Sequence, residues 1–368
     1  MRGAMLKPIV IAAGGTGGHL FPAEAVADVL MQRGERVVLM TDQRSGALQS
    51  SVFAECERHV FDGAGLAGRS PARVVAGLRQ LARGTGAARR VLATLDAAAL
   101  VGFGGYPSVP PVMATLGLKS RPVVILHDQN AILGGANRML AHFADHLATS
   151  FIKTEAVPRR IKTTLTGNPV RPAVVQLTGA PYTAPVDRIA LLVLGGSLGA
   201  RIFASLVPAA LAGLPEALRR RIDLVMQCPE AEIAAARIVL DRAGIAHTLA
   251  PFFADVASRI AAAHLVIARA GGSTVAELAV IGRPALFIPL AINADQRHNA
   301  DAIARRGGAL RLDQAGLVPE LLTRAIETLV AEPGRLAAMA TAAAACGIAD
   351  GTRRLADLVQ TCVAERVR

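Results

Sequence analysis

IVIAAGGTGGHLFP, residues 9–22, runs an apolar strand into a glycine-rich bend and out into a helix. Only residues without a Cβ make such a bend at low cost, and it leaves the unpaired N–H groups of the helix facing whatever lies above the strand end. The chain repeats the device in IALLVLGGSLGAR, residues 189–201. Two such turns predict two Rossmann-like α/β halves with parallel sheets facing a central cleft.

The sequence between and beyond these turns alternates in βα fashion. In the first half, strands are predicted at 8–13, 36–41, 98–102 and 122–127, with strand-like 145–150 and 162–166 and helices at 20–33, 108–117 and 134–143. The Pro- and Thr-rich segment 169–187 reads as a linker. A second series follows, with strands at 188–194, 222–227, 246–250, 264–268 and 284–289 and helices between and after them. We place the domains at 1–166 and 167–350, with a last helix over about 351–368 crossing back onto the first. The length of 368 residues fits two domains of about 170 residues each.

Composition narrows the class. Hydrophobic residues make up 52% and aromatics 3%, with no Trp, so the cores must be aliphatic. The best membrane-span candidate, 278–292, is broken by Arg283 and Pro284. The basic, apolar N-terminus runs straight into the glycine turn and reads as the first strand, not a signal peptide. Cys56, Cys228, Cys346 and Cys362 are scattered and lack ligand spacing, which indicates neither zinc nor a disulfide framework and fits a reducing cytoplasm.

A net charge of +12 calls for an anionic partner. No acidic residue lies between Asp62 and Asp96, where Arg69, Arg73, Arg79, Arg83, Arg89 and Arg90 alternate with Leu66, Val74, Val75, Leu78 and Leu81. Val74, Leu78 and Leu81 share one helix face flanked by arginines, the pattern of a helix on an anionic membrane. An amphipathic helix packing on its own sheet with a basic rim has the same pattern. Nucleic acid is disfavoured despite a pI near 10.8, because the arginines interleave with aliphatics and not with stacking aromatics.

The chemistry-bearing residues follow strands. GGTGGH, residues 14–19, lacks the Lys-Ser/Thr of a P-loop and departs from GxGxxG, yet it offers an open backbone cradle with His19 at a helix N-terminus. The positive dipole end favours the neutral imidazole, which accepts a proton; a capping role is the alternative. In 195–201, Ser197 offers a hydroxyl to a phosphate, and Arg171, either a surface residue or a charge for the site, closes GNPVR. ARAGGSTVAE, residues 268–277, suits a diphosphate at its turn, with Glu277 either accepting from a ribose diol or complementing a helix dipole. Gln296 offers amide groups after the strand PALFIPL. The chain contains no DxD pair, so a metal-bridged diphosphate is not expected and charge must be met by helix N-termini and Arg171.

GGTGGHLFPA, GFGGYPSVPP, HDQNAILGGAN, TGNPVRP, VLGGSLGAR, ARAGGSTVAEL and ADQRHNA occur in an order that resembles the MurG family of bacterial peptidoglycan glycosyltransferases over nearly the whole chain. The resemblance implies a metal-independent, inverting GT-B glycosyltransferase with no cofactor. It would transfer N-acetylglucosamine from UDP-N-acetylglucosamine to the lipid-linked muramoyl-pentapeptide lipid I, at the cytoplasmic face of the inner membrane. By motif, it implies donor contacts at Thr16, Gly17, Gly18, Asn130, Arg171, Ser197, Phe253, Gly272, Ser273, Thr274, Val275, Ala276, Glu277 and Gln296, with His19 near the acceptor C4 hydroxyl. The membrane-facing set would be Arg69, Arg73, Val74, Leu78, Arg79, Leu81 and Arg83. The chain departs from the family pattern at Leu198 (usually Gln), Ala270 (usually Ser), Asp128 (HDQN for HEQN) and Asp295, in a stretch one residue short. Another UDP-sugar glycosyltransferase or a UDP-sugar epimerase of the same fold is the alternative reading.

Overall fold

The computed structural model describes residues 7–14, 17–43, 50–61, 71–196 and 201–367. It forms two compact units, Met1–Arg171 with Asp350–Arg368 and Pro172–Ala349. Unit one contains β1 (Ile9–Ala12), α1 (Gly17–Gln32), β2 (Val37–Asp42), α2 (Ser51–Ala54), β3 (Glu57–Phe61), α3 (Pro71–Leu95), β4 (Ala99–Gly102), α4 (Val109–Thr115), β5 (Val123–Asp128), α5 (Gly135–Leu140), β6 (His146–Thr149) and β7 (Lys162–Leu165).

Its strands form one parallel sheet in the order β3-β2-β1-β4-β5-β6-β7. Val10 of β1 registers with Val38 on one side and Leu100 on the other. Strand periodicity then sends alternate residues to opposite faces. Ile9 and Ile11 pack with Leu20, Ala23, Val26 and Leu30 of α1, and Val10 packs with Ala88 and Leu92 of α3 and Val112 of α4. Both faces are covered, so the strands can be apolar throughout.

Unit two contains α6 (Pro172–Val175), β8 (Ile189–Leu194), α7 (Arg201–Ala212), α8 (Glu216–Arg219), β9 (Ile222–Gln227), α9 (Glu230–Arg242), β10 (Ala246–Ala250), α10 (Val256–Ala262), β11 (Leu265–Ala268), α11 (Gly272–Ile281), β12 (Ala285–Phe287), α12 (Ala294–Ala304), β13 (Ala309–Arg311), α13 (Pro319–Ala331) and α14 (Pro333–Ala344). The sheet order β10-β9-β8-β11-β12-β13 repeats the winding of unit one. The final helix, α15 (Gly351–Val367), belongs to unit one, where Leu355, Ala356, Val359 and Cys362 join the core beneath Ile9 and Ile11. Arg33 reinforces that seat through Asp357 at 2.8 Å and Gln360 at 2.8 Å.

Several elements lie where no sequence signal predicted them. β3, ERHVF, is an edge strand buried only at Phe61, so it lacks an apolar run. α2, α6 and α8 are four residues each and β13 three, too short for a periodic pattern.

The basic helix also differs from expectation. α3 lies against the sheet through Gly77, Leu81, Gly84, Ala88 and Leu92, while Val75, Leu78, Arg79 and Arg83 are exposed. Leu81 therefore belongs to the packed side and not to the outward set with Leu78. Gly77 and Gly84 are buried on this side, which apolar periodicity alone does not reveal. Arg69 lies outside the described residues, as do the side chains of Arg73 and Val74.

Candidate active site

In an open parallel sheet, ligands bind beyond the carboxyl ends of the strands where the winding reverses. In unit one that point falls between β1 and β4. His19, in the first turn of α1, meets the loop after β4 there: its Nδ1 lies 2.8 Å from the Phe103 carbonyl oxygen. Gly104 and Gly105 carry φ of 83° and 69°. A Cβ on Gly104 would stand 3.5 Å from His19 Cε1 and 3.2 Å from Asn137 Nδ2, and one on Gly105 would stand 3.5 Å from His19 Cδ2. The positive φ explains glycine at both positions, and at Gly104 the tight approach to Asn137 adds to it, while the ring stands at ordinary contact distance. A carbonyl oxygen can only accept, so Nδ1 carries the proton and the lone pair of the neutral ring lies at Nε2.

The HDQN loop follows β5. Asp128 is buried and accepts from the Asn130 N–H at 2.9 Å, the Gly134 N–H at 2.9 Å and Asn137 Nδ2 at 3.0 Å. The shorter side chain that replaces the family's usual glutamate thus organises its own loop, in an Asx-type turn. His127 is buried beside it, and burial pushes its pKa down to about 4, so the ring is neutral at pH 7. It contacts the Gly167 carbonyl oxygen at 3.3 Å and Ser150 Oγ at 3.2 Å. Asn130 is half-buried at the mouth of the loop, and Arg171 is half-buried at the end of GNPVR. Gly17 and Gly18 open α1, while Thr16 lies outside the described residues.

Unit two has its reversal between β8 and β11. Gly195 follows β8 and donates its N–H to Gln227 Oε1 at 3.2 Å, so that donor serves the fold. Gly196 has φ 79°, and Ser197 and Leu198 lie outside the described residues. Gly271 follows β11 in extended conformation and α11 begins at Gly272, leaving the first-turn N–H groups of Gly272, Ser273 and Thr274 without intrahelical acceptors. Ser273 Oγ is buried among them with no hydrogen-bond partner among the described residues. Two side chains hold this turn from below. Asn299 Nδ2 donates to the Ala270 carbonyl at 3.0 Å, and Arg269, buried against the Phe203 ring, donates to the Ile288 carbonyl at 2.8 Å. Ala270 is fully buried, so a larger polar residue there would have to find a partner in the core.

Other predicted positions acquire definite places. Glu277 is buried in the second turn of α11, so complementing the first-turn dipole is not its task. Ala276 is half-buried, whereas Val275 points into the core and its N–H donates to the Gly271 carbonyl at 2.9 Å. Val275 therefore packs, and offers a ligand no donor. Gln296 Oε1 accepts from the Leu290 N–H at 2.9 Å, which leaves its NH2 as the group it can present. Asn293 caps α12 by accepting from Asp295 N at 2.9 Å and Gln296 N at 3.3 Å, so Asp295 stands in a first turn where a carboxylate complements the dipole. Phe253 is buried under the Arg259 guanidinium, 4.3 Å from its ring centroid, beside a strongly exposed Phe252. Sequence reasoning missed Gln129, whose amide lies 3.2 Å from His19 Nδ1, because a glutamine inside a named motif carries no spacing signal of its own.

Two family models match the chain: the glycosyltransferase family 28 N-terminal domain over residues 9–149 and the C-terminal domain over residues 190–355. A protein of Acidiphilium cryptum, UDP-N-acetylglucosamine–N-acetylmuramyl-(pentapeptide) pyrophosphoryl-undecaprenol N-acetylglucosamine transferase, is 67% identical over 368 residues, covering 100% of both chains. The protein of the same name from Granulibacter bethesdensis is 52% identical, over 96% of this chain and 93% of its own. The crystal structure of Acinetobacter baumannii MurG superposes with a TM-score of 0.79 at 30% identity, covering 96% of this chain and 99% of that one. A UDP-GlcNAc 2-epimerase from Neisseria meningitidis shares the fold at a TM-score of 0.67 and 12% identity, covering 96% of this chain and 100% of that one.

Proposed function

The chain belongs to glycosyltransferase family 28, and we propose that it transfers N-acetylglucosamine from UDP-N-acetylglucosamine to the C4 hydroxyl of undecaprenyl-pyrophosphoryl-N-acetylmuramoyl-pentapeptide. The carrying observation is the 67% identity, without truncation on either side, to a transferase of that name. The epimerase likeness, at 12% identity, extends to the fold alone.

The chemistry proposed is a single inverting displacement. His19 Nε2 takes the proton of the acceptor hydroxyl, the oxygen attacks the anomeric carbon, and the bond to the UDP oxygen breaks with its electron pair going to the diphosphate. The developing negative charge is met by the first-turn N–H groups of α11 and by Ser273 Oγ, donors fixed in place before reaction. Glu277 takes the ribose hydroxyls, and the Phe253 backbone, Gln296 NH2, Asn130 and Arg171 are further donor contacts. Thr16, Gly17, Gly18 and Ser197 complete the proposed set.

The exposed Val75, Leu78, Arg79 and Arg83 of α3 form the proposed contact with an anionic cytoplasmic membrane surface, next to which a lipid-linked acceptor is presented. No described helix is long and apolar enough to cross a membrane. Nucleic acid is not a proposed partner, since Val75 and Leu78 beside the arginines offer no ring for a base to stack on.

The test is transfer of labelled N-acetylglucosamine to the lipid-linked acceptor, with and without chelator, comparing the wild type with His19→Ala. A loss of about 10²–10⁴ in kcat is expected for removing a general base. Full activity in His19→Ala removes His19 as the base, and strict dependence on added magnesium overturns the metal-free scheme.

A further inference from the structure

His19 Nδ1 has two neighbours that cannot both be served as they stand. The Phe103 carbonyl oxygen at 2.8 Å requires Nδ1 to donate, whereas an amide N–H from Gln129 Nε2 at 3.2 Å would require the same nitrogen to accept. Meanwhile Gln129 Oε1 is buried with no hydrogen-bond partner among the described residues. Turning the amide by half a revolution resolves the conflict: Oε1 then faces Nδ1–H, which is shared between two acceptors, and the NH2 takes the other position. The opposite pairing, with Gln129 donating to a bare Nδ1, would set two lone pairs against each other at Phe103 and move the proton to Nε2. A ring in that state cannot take the acceptor proton.

We propose that Gln129 is a positioning residue whose amide oxygen reinforces the Nδ1–H tautomer of His19 set by the Phe103 carbonyl and steadies the imidazolium formed when Nε2 is protonated. The inference rests on the reading of His19 as the base. The other charged or titratable groups on the surrounding elements are few. From β5 come His127, whose charge would oppose that of His19, and Asp128, committed to Asn130, Gly134 and Asn137. From α1 comes Glu24, which accepts from Ser50 Oγ at 2.6 Å, and from the loop after β4 the exposed Tyr106. Among the described residues, Gln129 is thus a neutral group in direct reach of Nδ1 whose oxygen can join the Phe103 carbonyl in holding that proton.

The experiment uses the full chain labelled with 15N-histidine, with the His19 ring signals assigned by their loss in His19→Gln. At pH 8 the wild type is expected to show a protonated Nδ1 and a bare Nε2. Gln129→Leu, which leaves the Phe103 carbonyl in place, is expected to keep the proton on Nδ1 but to lower the His19 titration midpoint by about half a unit and kcat about tenfold, with little change in KM. Gln129→Glu, which places a carboxylate at the same point, is expected to raise both the His19 titration midpoint and the acidic limb of the kcat–pH profile by about one unit. A wild-type ring protonated at Nε2, or a titration midpoint unmoved in both Gln129 variants, overturns the proposal. Because the ring signals are read without substrate, that outcome is separate from the activity of His19→Ala, which judges the base itself.

Discussion

Gly104→Ala tests whether the loop after β4 is shaped for the His19 ring. At φ 83° an L-residue bears a left-handed penalty of about 1–2 kcal/mol. The new Cβ would also stand 3.2 Å from Asn137 Nδ2, and that amide is tied to the His127 carbonyl and the Asp128 carboxylate, each at 3.0 Å, so it cannot retreat without losing a buried bond. Adding roughly another kcal/mol for that conflict gives about 2–3 kcal/mol in all. For a unit of this size that lowers the melting temperature by about 5–10 °C. The His19 ring, with Cε1 at an ordinary contact distance of 3.5 Å from the same Cβ, is not pushed directly; it is reached through Asn137 and the Asp128 loop that carries Gln129, for about a tenfold fall in kcat. Gly34→Ala supplies the comparison, since Gly34 has φ 84° but nothing within 4 Å of a Cβ. It is expected to show the strain alone, about 1–2 kcal/mol, with unchanged kcat. Calorimetry and the transfer assay on both variants decide the matter. Equal kcat in Gly104→Ala and Gly34→Ala would refute the idea that this glycine exists to seat the catalytic ring.

Three further outcomes are expected. His127 titrates near 6.5 when unfolded and at about 4 when folded, so below pH 6.5 the unfolded chain binds a proton that the folded one refuses. Stability is therefore complete above pH 6.5 and falls by up to about 3 kcal/mol as the pH approaches 4, a slope that urea midpoints should show in the wild type and find reduced in His127→Asn. Leu355→Ala empties a fully buried site where α15 meets α1 and β1, and should cost about 2–5 kcal/mol, measured as a lower melting transition of unit one. Replacing Arg79 and Arg83 by Gln removes two exposed charges worth about 1 kcal/mol each near an anionic surface, so vesicle partitioning should fall about thirtyfold with phosphatidylserine and hardly at all with neutral lipid.

The legible part of this protein is its strand-and-turn grammar. Apolar runs such as 189–194 and the glycine bends after them announce themselves because a buried parallel strand must be apolar on both faces and a tight turn must lack a Cβ. Edge strand β3 escaped the same reading because only Phe61 among its five residues is buried. The direction of α3 escaped it too: Leu78 and Leu81 look equivalent on a helical wheel, and only the packing of Leu81 with Ala88 and Leu92 shows which side faces in. Within the site, Glu277 and Gln296 could be nominated by their place after strands. That Gln296 gives its oxygen to Leu290, and that Val275 gives its N–H to Gly271, depends on loop geometry that no periodicity encodes.

Sequence alone determined that the chain winds twice into α/β halves with glycine loops after the strands, since those are consequences of local sterics and burial. Tertiary structure alone decided which partners meet. His19 and Phe103 are separated by 84 positions and His19 and Gln129 by 110, yet they share one ring nitrogen. The state of that nitrogen follows from hydrogen-bond complementarity across β1, β4 and β5. Only the winding of the sheet brings those groups together.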